Sequence, residues 1–160
     1  MQSLPGAGAE ILTDNVKKII SPKKIMSDEW LRIIEEAHTL GIPASATMMY
    51  GHVESNQDIA EHFRKIVELQ KKTGVFMAFI PWSFEPNNTQ MQKEGIINFG
   101  AGGVQLLKMI AVSRLVFDGL IPHIQSSWLT NGIGMAQLAL QYGADAVSYT
   151  HLTLPTILLV

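Results

Sequence analysis

Four short stretches carry the groups able to do chemistry. "GAGAE" over 6–10 sets Glu10 beside Gly6 and Gly8, "YGHVE" over 50–54 brings Tyr50, His52 and Glu54 together, "FIPWSFEPNN" holds Trp82 and Phe84, and "QSSWLTN" holds Gln125 and Trp128. Glycines let backbone N–H groups approach an anion closely. "GAGAE" lacks the full G-x-G-x-x-G pattern and a P-loop lysine, so a tight turn after a strand is favoured over a phosphate cradle. An acid beside such a turn, like Glu10, can grip ribose hydroxyls or an amine. His52 and Glu54 supply two groups where a metal needs three or four, and the other histidines, 38, 62, 123 and 151, are scattered. Hydrogen bonding at a pocket rim is the favoured role for this pair, and no metal site is expected. Trp82 and Trp128 can stack on a flat ligand ring or cap the hydrophobic core. No Ser/His/Asp order suggests a triad.

Each stretch follows an apolar run, and helical patterns separate the runs. "TDNVKKIISPKK" reads as a short helix stopped at Pro22. "SDEWLRIIEEAHTLG" reads as a helix with Ser27 as cap, acids in the first turn, Gly41 at the end and an apolar stripe of Trp30, Ile33, Ile34 and Ala37. "SNQDIAEHFRKIVELQKKTG" is a second one, capped by Ser55 and closed by Gly74. Further helices are predicted over 104–117 and 131–143, and strands over 42–51, 75–82 and 122–128, with a last one opening at "ADAV". Met48 and Met49 are strand residues, one facing inward and the other the helices. Strand–helix alternation implies a parallel sheet with right-handed crossovers. Four successive strand ends carry polar or aromatic groups. A barrel needs this and an open doubly wound sheet does not. The fold class expected is α/β: a partial (βα) TIM-type barrel, roughly its C-terminal half, with parallel strands and outer helices.

Composition narrows the function. The 160 residues are 47% hydrophobic and 16% charged, as buried parallel strands require. A net charge of -2 favours neither nucleic acid nor an anionic membrane. There is no cysteine, so no disulfide, thiol nucleophile or thiolate-held cluster is available. The start lacks a signal-peptide pattern, and no apolar run reaches ~18 residues, so a cytoplasmic enzyme or enzyme part is expected.

"SLPGAGAEIL", "IISPKKI", "DEWL", "ATMMYGHVE", "AFIPW" and "AQLAL-YGA" closely resemble the C-terminal half of the radical S-adenosylmethionine enzymes of the futalosine route to menaquinone. The likeness runs from about Ser3 to Asp145. Within that group, "FIPW" and "QSSWLTNG" look most like dehypoxanthine futalosine cyclase. Aminofutalosine synthase and the deazaflavin-forming FO synthase share the "GAEI" and "YGH-E" segments and remain alternatives.

The resemblance implies a chemistry. A 4Fe-4S cluster cleaves S-adenosyl-L-methionine, and the radical released abstracts hydrogen from the ribose of a nucleoside-derived substrate, which then cyclises. An electron donor is implied as partner. By the same likeness, Gly8 and Glu10 would lie beside S-adenosyl-L-methionine or substrate. Tyr50, His52 and Glu54 would order ribose or carboxylate groups. Trp82 and Trp128 would pack on flat rings, with Gln125 beside them. Arg114 is either a structural cation or a carboxylate ligand. The cluster cysteines of these enzymes sit in an N-terminal part that this chain does not show. The expectation is therefore an enzyme fragment, inactive alone, with a non-catalytic ligand-binding half-barrel as the alternative of another class. Residues 1–146 are assigned to the barrel. Val147 to Val160, "VSYTHLTLPTILLV", resemble the translation of a transposon-derived sequencing adapter and are read as a non-native tail.

Overall fold

The computed structural model describes residues 3–147. The chain runs from Leu4 through helices α1 (Asp14–Ile20) and α2 (Ser27–Thr39) to strand β1 (Ala44–Tyr50). It continues through α3 (Asn56–Thr73), β2 (Phe76–Ser83), a single turn α4 (Gln90–Lys93) and α5 (Gly103–Phe117). The last elements are β3 (His123–Ser126), α6 (Trp128–Ala139), a 3-10 turn (Leu140–Tyr142) and β4 (Ala146–Val147). All strand pairs are parallel and stand in chain order, β1-β2-β3-β4, with Leu4 bridging to Ala44 on the outer side of β1. Each crossover thus returns the chain to the next position in the sheet. A doubly wound sheet would reverse direction at a switch point, whereas a (βα) barrel does not. The order is that of a partial (βα) barrel, as the alternation of elements predicts. The boundary expected for a tail, at Val147, coincides with the last described residue, which pairs with Ser126; the rest of that tail lies outside the described residues.

The helices form for legible reasons. Ser55 and Asp58 make a reciprocal capping box at the start of α3, with Ser55 N–H donating to Asp58 Oδ2 at 2.8 Å. Gly74 ends α3 in the left-handed conformation at φ 67°. The start of α2 corrects an expectation. Ser27 is its buried first helical residue, not its cap, and the Ser27 N–H donates to the Asp14 carboxylate at 2.9 Å. A residue of α1 therefore does the capping, a tertiary device that local pattern does not reveal. The fourth main helix begins at Trp128, three residues earlier than its apolar pattern, and Gly132 breaks it at φ 78°.

Alternation along the strands separates two faces. Ala44, Ala46, Met48 and Tyr50 join the core between sheet and helices. Phe79 on β2 meets Phe63 of α3 and Phe117 of α5 there, with ring centroids 5.7 and 4.6 Å away. Such tilted pairs add about 0.5–1.5 kcal/mol each beyond the area they bury. Buried Gln70, at the C-terminal end of α3, exchanges hydrogen bonds with Phe76 N and O and also donates to Leu120 O at 2.8 Å. It ties α3 to the start of β2 and to the approach to β3. Among the described residues no helix is long and apolar enough to cross a membrane.

Candidate functional site

The opposite strand face, carrying Ser45, Thr47, Ile80, Trp82 and Gln125, lines a cavity of about 590 Å3. Pro5 to Gly8 and Glu10 close one side of it, and Ser127, Leu129 and Thr130 at the start of α6 close the other. Its size suits a small-molecule site. Of the residues singled out in the sequence, the structure brings Gly8, Glu10, Trp82 and Gln125 to this one space.

The glycine turn is built by close contact. Gly6 lies against β1 so tightly that a Cβ there would stand 2.2 Å from Ser45 O. Its N–H donates to Ser45 Oγ at 3.0 Å, and Thr47 Oγ1 donates to Gly6 O at 2.6 Å. Gly8 takes φ 85° and Glu10 φ 49°, a left-handed conformation that costs a non-glycine residue about 1 kcal/mol or more. Met49 N–H, donating to Glu10 O at 2.7 Å, helps hold that conformation. Beneath the turn, Lys17 is wholly buried and its ammonium donates to Gly8 O at 2.5 Å and Ala9 O at 2.9 Å. Burial pushes its pKa down, and the Glu10 charge partly restores it. The Glu10 carboxylate, almost fully buried, pairs with the half-exposed ammonium of Lys24 at the cavity edge.

Tyr50, His52, Glu54 and Trp128 do not line this cavity, so the four strand-end clusters do not all meet in it. For Tyr50 the cause is parity. Ser45, Thr47 and Met49 share the inner face, so Tyr50 points into the helix-side core, where it is 2% exposed. His52 and Glu54 satisfy each other and their own loop. Glu54 accepts the N–H of Gly51 at 2.5 Å and of His52 at 2.8 Å, and its Oε2 lies 2.9 Å from His52 Nδ1. Burial raises the Glu54 pKa, but the hydrogen bonds from His52 and the loop outweigh it and leave it below its usual range. Trp128 is half-buried, with its Nε1 unpaired among the described residues. Arg114 pairs with Asp145 at 2.8 Å and donates to Gly143 O at 2.8 Å, which gives it a structural role. Among the described residues no three His, Cys, Asp or Glu groups come together as metal ligands.

Ser45, Thr47, Lys17 and Lys24 escaped the sequence reading. The alternation of "ASATMMY", with small polar residues at every second position, carries the signal for the first two. Nothing local marks Lys17, which acts across the turn.

A profile of the family described as "CofH/MqnC C-terminal region" matches residues 73–152. The chain is 46% identical over 150 residues to the 5-amino-6-(D-ribitylamino)uracil–L-tyrosine 4-hydroxyphenyl transferase of Methanocaldococcus jannaschii, a match covering 94% of this chain and 42% of that protein. It is 43% identical over 148 residues to the protein of the same name from Methanothermobacter thermautotrophicus, covering 92% of this chain and 40% of that protein. With the one from Methanoculleus marisnigri, identity is 45% over 150 residues, covering 94% and 41%. The chain thus spans about two fifths of the length of these relatives.

Proposed function

Because the chain belongs to the family described as the CofH/MqnC C-terminal region, we propose that it forms the C-terminal part of an FO synthase-type enzyme. In this reading the whole enzyme couples the 4-hydroxyphenyl group of L-tyrosine to 5-amino-6-(D-ribitylamino)uracil. The observation that carries the reading is the name shared by relatives 43–46% identical over nearly all of this chain. The cavity supports it. Trp82 and Ile80 offer apolar surface for a flat ring, and Gln125, Ser127 and Thr130 offer hydrogen bonds for hydroxyls.

The futalosine cyclase suggested by "FIPW" and "QSSWLTNG" takes second place, since the family description spans both groups while the relatives' names favour the transferase. A 4Fe-4S cluster needs cysteine thiolates, and this chain has none, so these residues do not fit a cluster and no step is assigned through one. S-adenosyl-L-methionine supplies hydrogen-abstraction chemistry in the whole enzyme. In this chain Glu10 and Gln125 offer the acceptors that would hold its amino group or ribose hydroxyls. The chain's own residues bind, orient and shield the reactants from water. An external electron donor and cytoplasmic location belong to the same reading.

The test is a product assay on a protein spanning the full length of the relatives, reconstituted and reduced. Offered both substrate sets, it is expected to consume tyrosine and the ribitylaminouracil and to leave dehypoxanthine futalosine untouched. Cyclisation of dehypoxanthine futalosine without tyrosine consumption would reverse the two readings.

A further inference from the structure

We propose that Glu10 and Lys24 form a subsite for the zwitterionic head of an α-amino acid. The proposal deepens the function above and rests on it for the choice of tyrosine. Among the described residues lining the cavity, Glu10 and Lys24 are the only two with charged side chains, and they are of opposite sign. They face each other as an ion pair at the edge of a space otherwise lined by apolar and neutral polar groups. An α-amino acid carries the complementary pair on adjacent atoms, an ammonium for Glu10 and a carboxylate for Lys24.

The two partners are built differently, and the difference suits exchange. The Glu10 side chain is 7% exposed, and its backbone is held by φ 49° and the bond from Met49 N–H. The Lys24 side chain is 51% exposed on a long stem. Glu10 is therefore a fixed acceptor and Lys24 a movable donor. A ligand ammonium replaces the Lys24 ammonium on Glu10, and the displaced ammonium meets the ligand carboxylate. Each charge has a partner both before and after the exchange, which matters because an unpaired buried carboxylate is costly. Trp82 and Ile80 line the same space and offer a wall for an aromatic side chain. A ligand with hydroxyls alone would satisfy Glu10 but leave Lys24 without a counter-charge.

The same head group occurs in L-tyrosine and in S-adenosyl-L-methionine, and ligand binding distinguishes them. Binding to the 160-residue chain is followed by ligand-observed NMR with L-tyrosine, tyramine, 3-(4-hydroxyphenyl)propionate and S-adenosyl-L-methionine. L-tyrosine is expected to bind about tenfold or more tightly than tyramine or the propionate, each of which lacks one charged contact. Lys24→Met is expected to abolish the preference for tyrosine over tyramine, and Glu10→Gln the preference over the propionate. Amide spectra of both variants report that the fold persists, and the comparison of ligands on the unsubstituted chain needs no variant. Tyrosine displaced by S-adenosyl-L-methionine assigns the subsite to both, and S-adenosyl-L-methionine binding alone assigns it to the cofactor. Equal affinity for tyrosine and tyramine, or no binding of any amino acid, overturns the proposal. The product assay above is independent: loss of transfer activity with intact zwitterion preference would sink the functional reading and leave the subsite standing.

Discussion

His62 Nδ1 accepts the backbone N–H of Leu12 at 3.0 Å, and with Lys65 Nζ donating to Leu12 O at 2.9 Å it fastens the middle of α3 to the segment entering α1. The ring is fully buried against Phe79 and Phe63. Burial pushes its pKa down from 6.5 to about 3, with the charges of Lys17 and Lys65 adding to the effect. The folded state thus holds neutral histidine where the unfolded chain would bind a proton. Stability from this group is complete above about pH 6.5 and is lost as pH falls towards 3. Urea midpoints taken between about pH 5 and 7, above the range where carboxylates titrate, are expected to rise with pH. His62→Gln, which retains an acceptor, should flatten that slope. An unchanged slope would show that another group is responsible.

Gly6 and Gly134 make opposite predictions. A Cβ on Gly6 would sit 2.2 Å from a backbone oxygen of β1, whereas one on Gly134 meets nothing within 4 Å. Gly6→Ala is expected to destabilise by about 2 kcal/mol or more, since backbone on both sides must move. Gly134→Ala, within α6, is expected to stabilise by up to about 1 kcal/mol. Thermal unfolding of both variants checks the pair, and equal effects would contradict the close approach of Gly6 to β1.

The Lys17 ammonium organises the turn that presents Glu10. Lys17→Met keeps the apolar stem but leaves Gly8 O and Ala9 O without their donor. The cost expected is about 1–3 kcal/mol, the range for losing hydrogen bonds to a buried charged group. Because the turn borders the cavity, affinity for cavity ligands should fall as well. A variant with unchanged melting temperature and unchanged ligand binding would remove Lys17 from this role.

The sheet was legible in the sequence because apolar runs and helical patterns alternate along the chain, and the cap of α3 and its closing glycine follow from local chemistry. Tertiary partners were not legible. Ser27 looks like a cap on its own, but Asp14 from another helix takes the role. The candidate site divides the same way. Glu10, Gly8, Trp82 and Gln125 could be placed together because they lie at, or just past, the C-terminal ends of strands. Tyr50 shares that position in sequence, yet strand parity turns it to the other face. Counting from Ser45 and Thr47 would have shown this. His52 and Glu54 read as ligand groups because nothing in the sequence shows that the N–H groups of Gly51 and His52 already occupy the carboxylate.

Cluster binding can be tested directly on this chain. Iron–sulfur clusters are held by thiolates, and the 160 residues include no cysteine. Oxygen and imidazole groups are poor substitutes for soft sulfur ligands, and no three such groups converge among the described residues. The chain supplied anaerobically with iron, sulfide, reductant and S-adenosyl-L-methionine is therefore expected to retain no cluster absorbance after desalting and to release no 5′-deoxyadenosine. The same treatment of a protein spanning the full length of the relatives is expected to give both signals. Stoichiometric 5′-deoxyadenosine from the 160-residue chain would overturn this expectation.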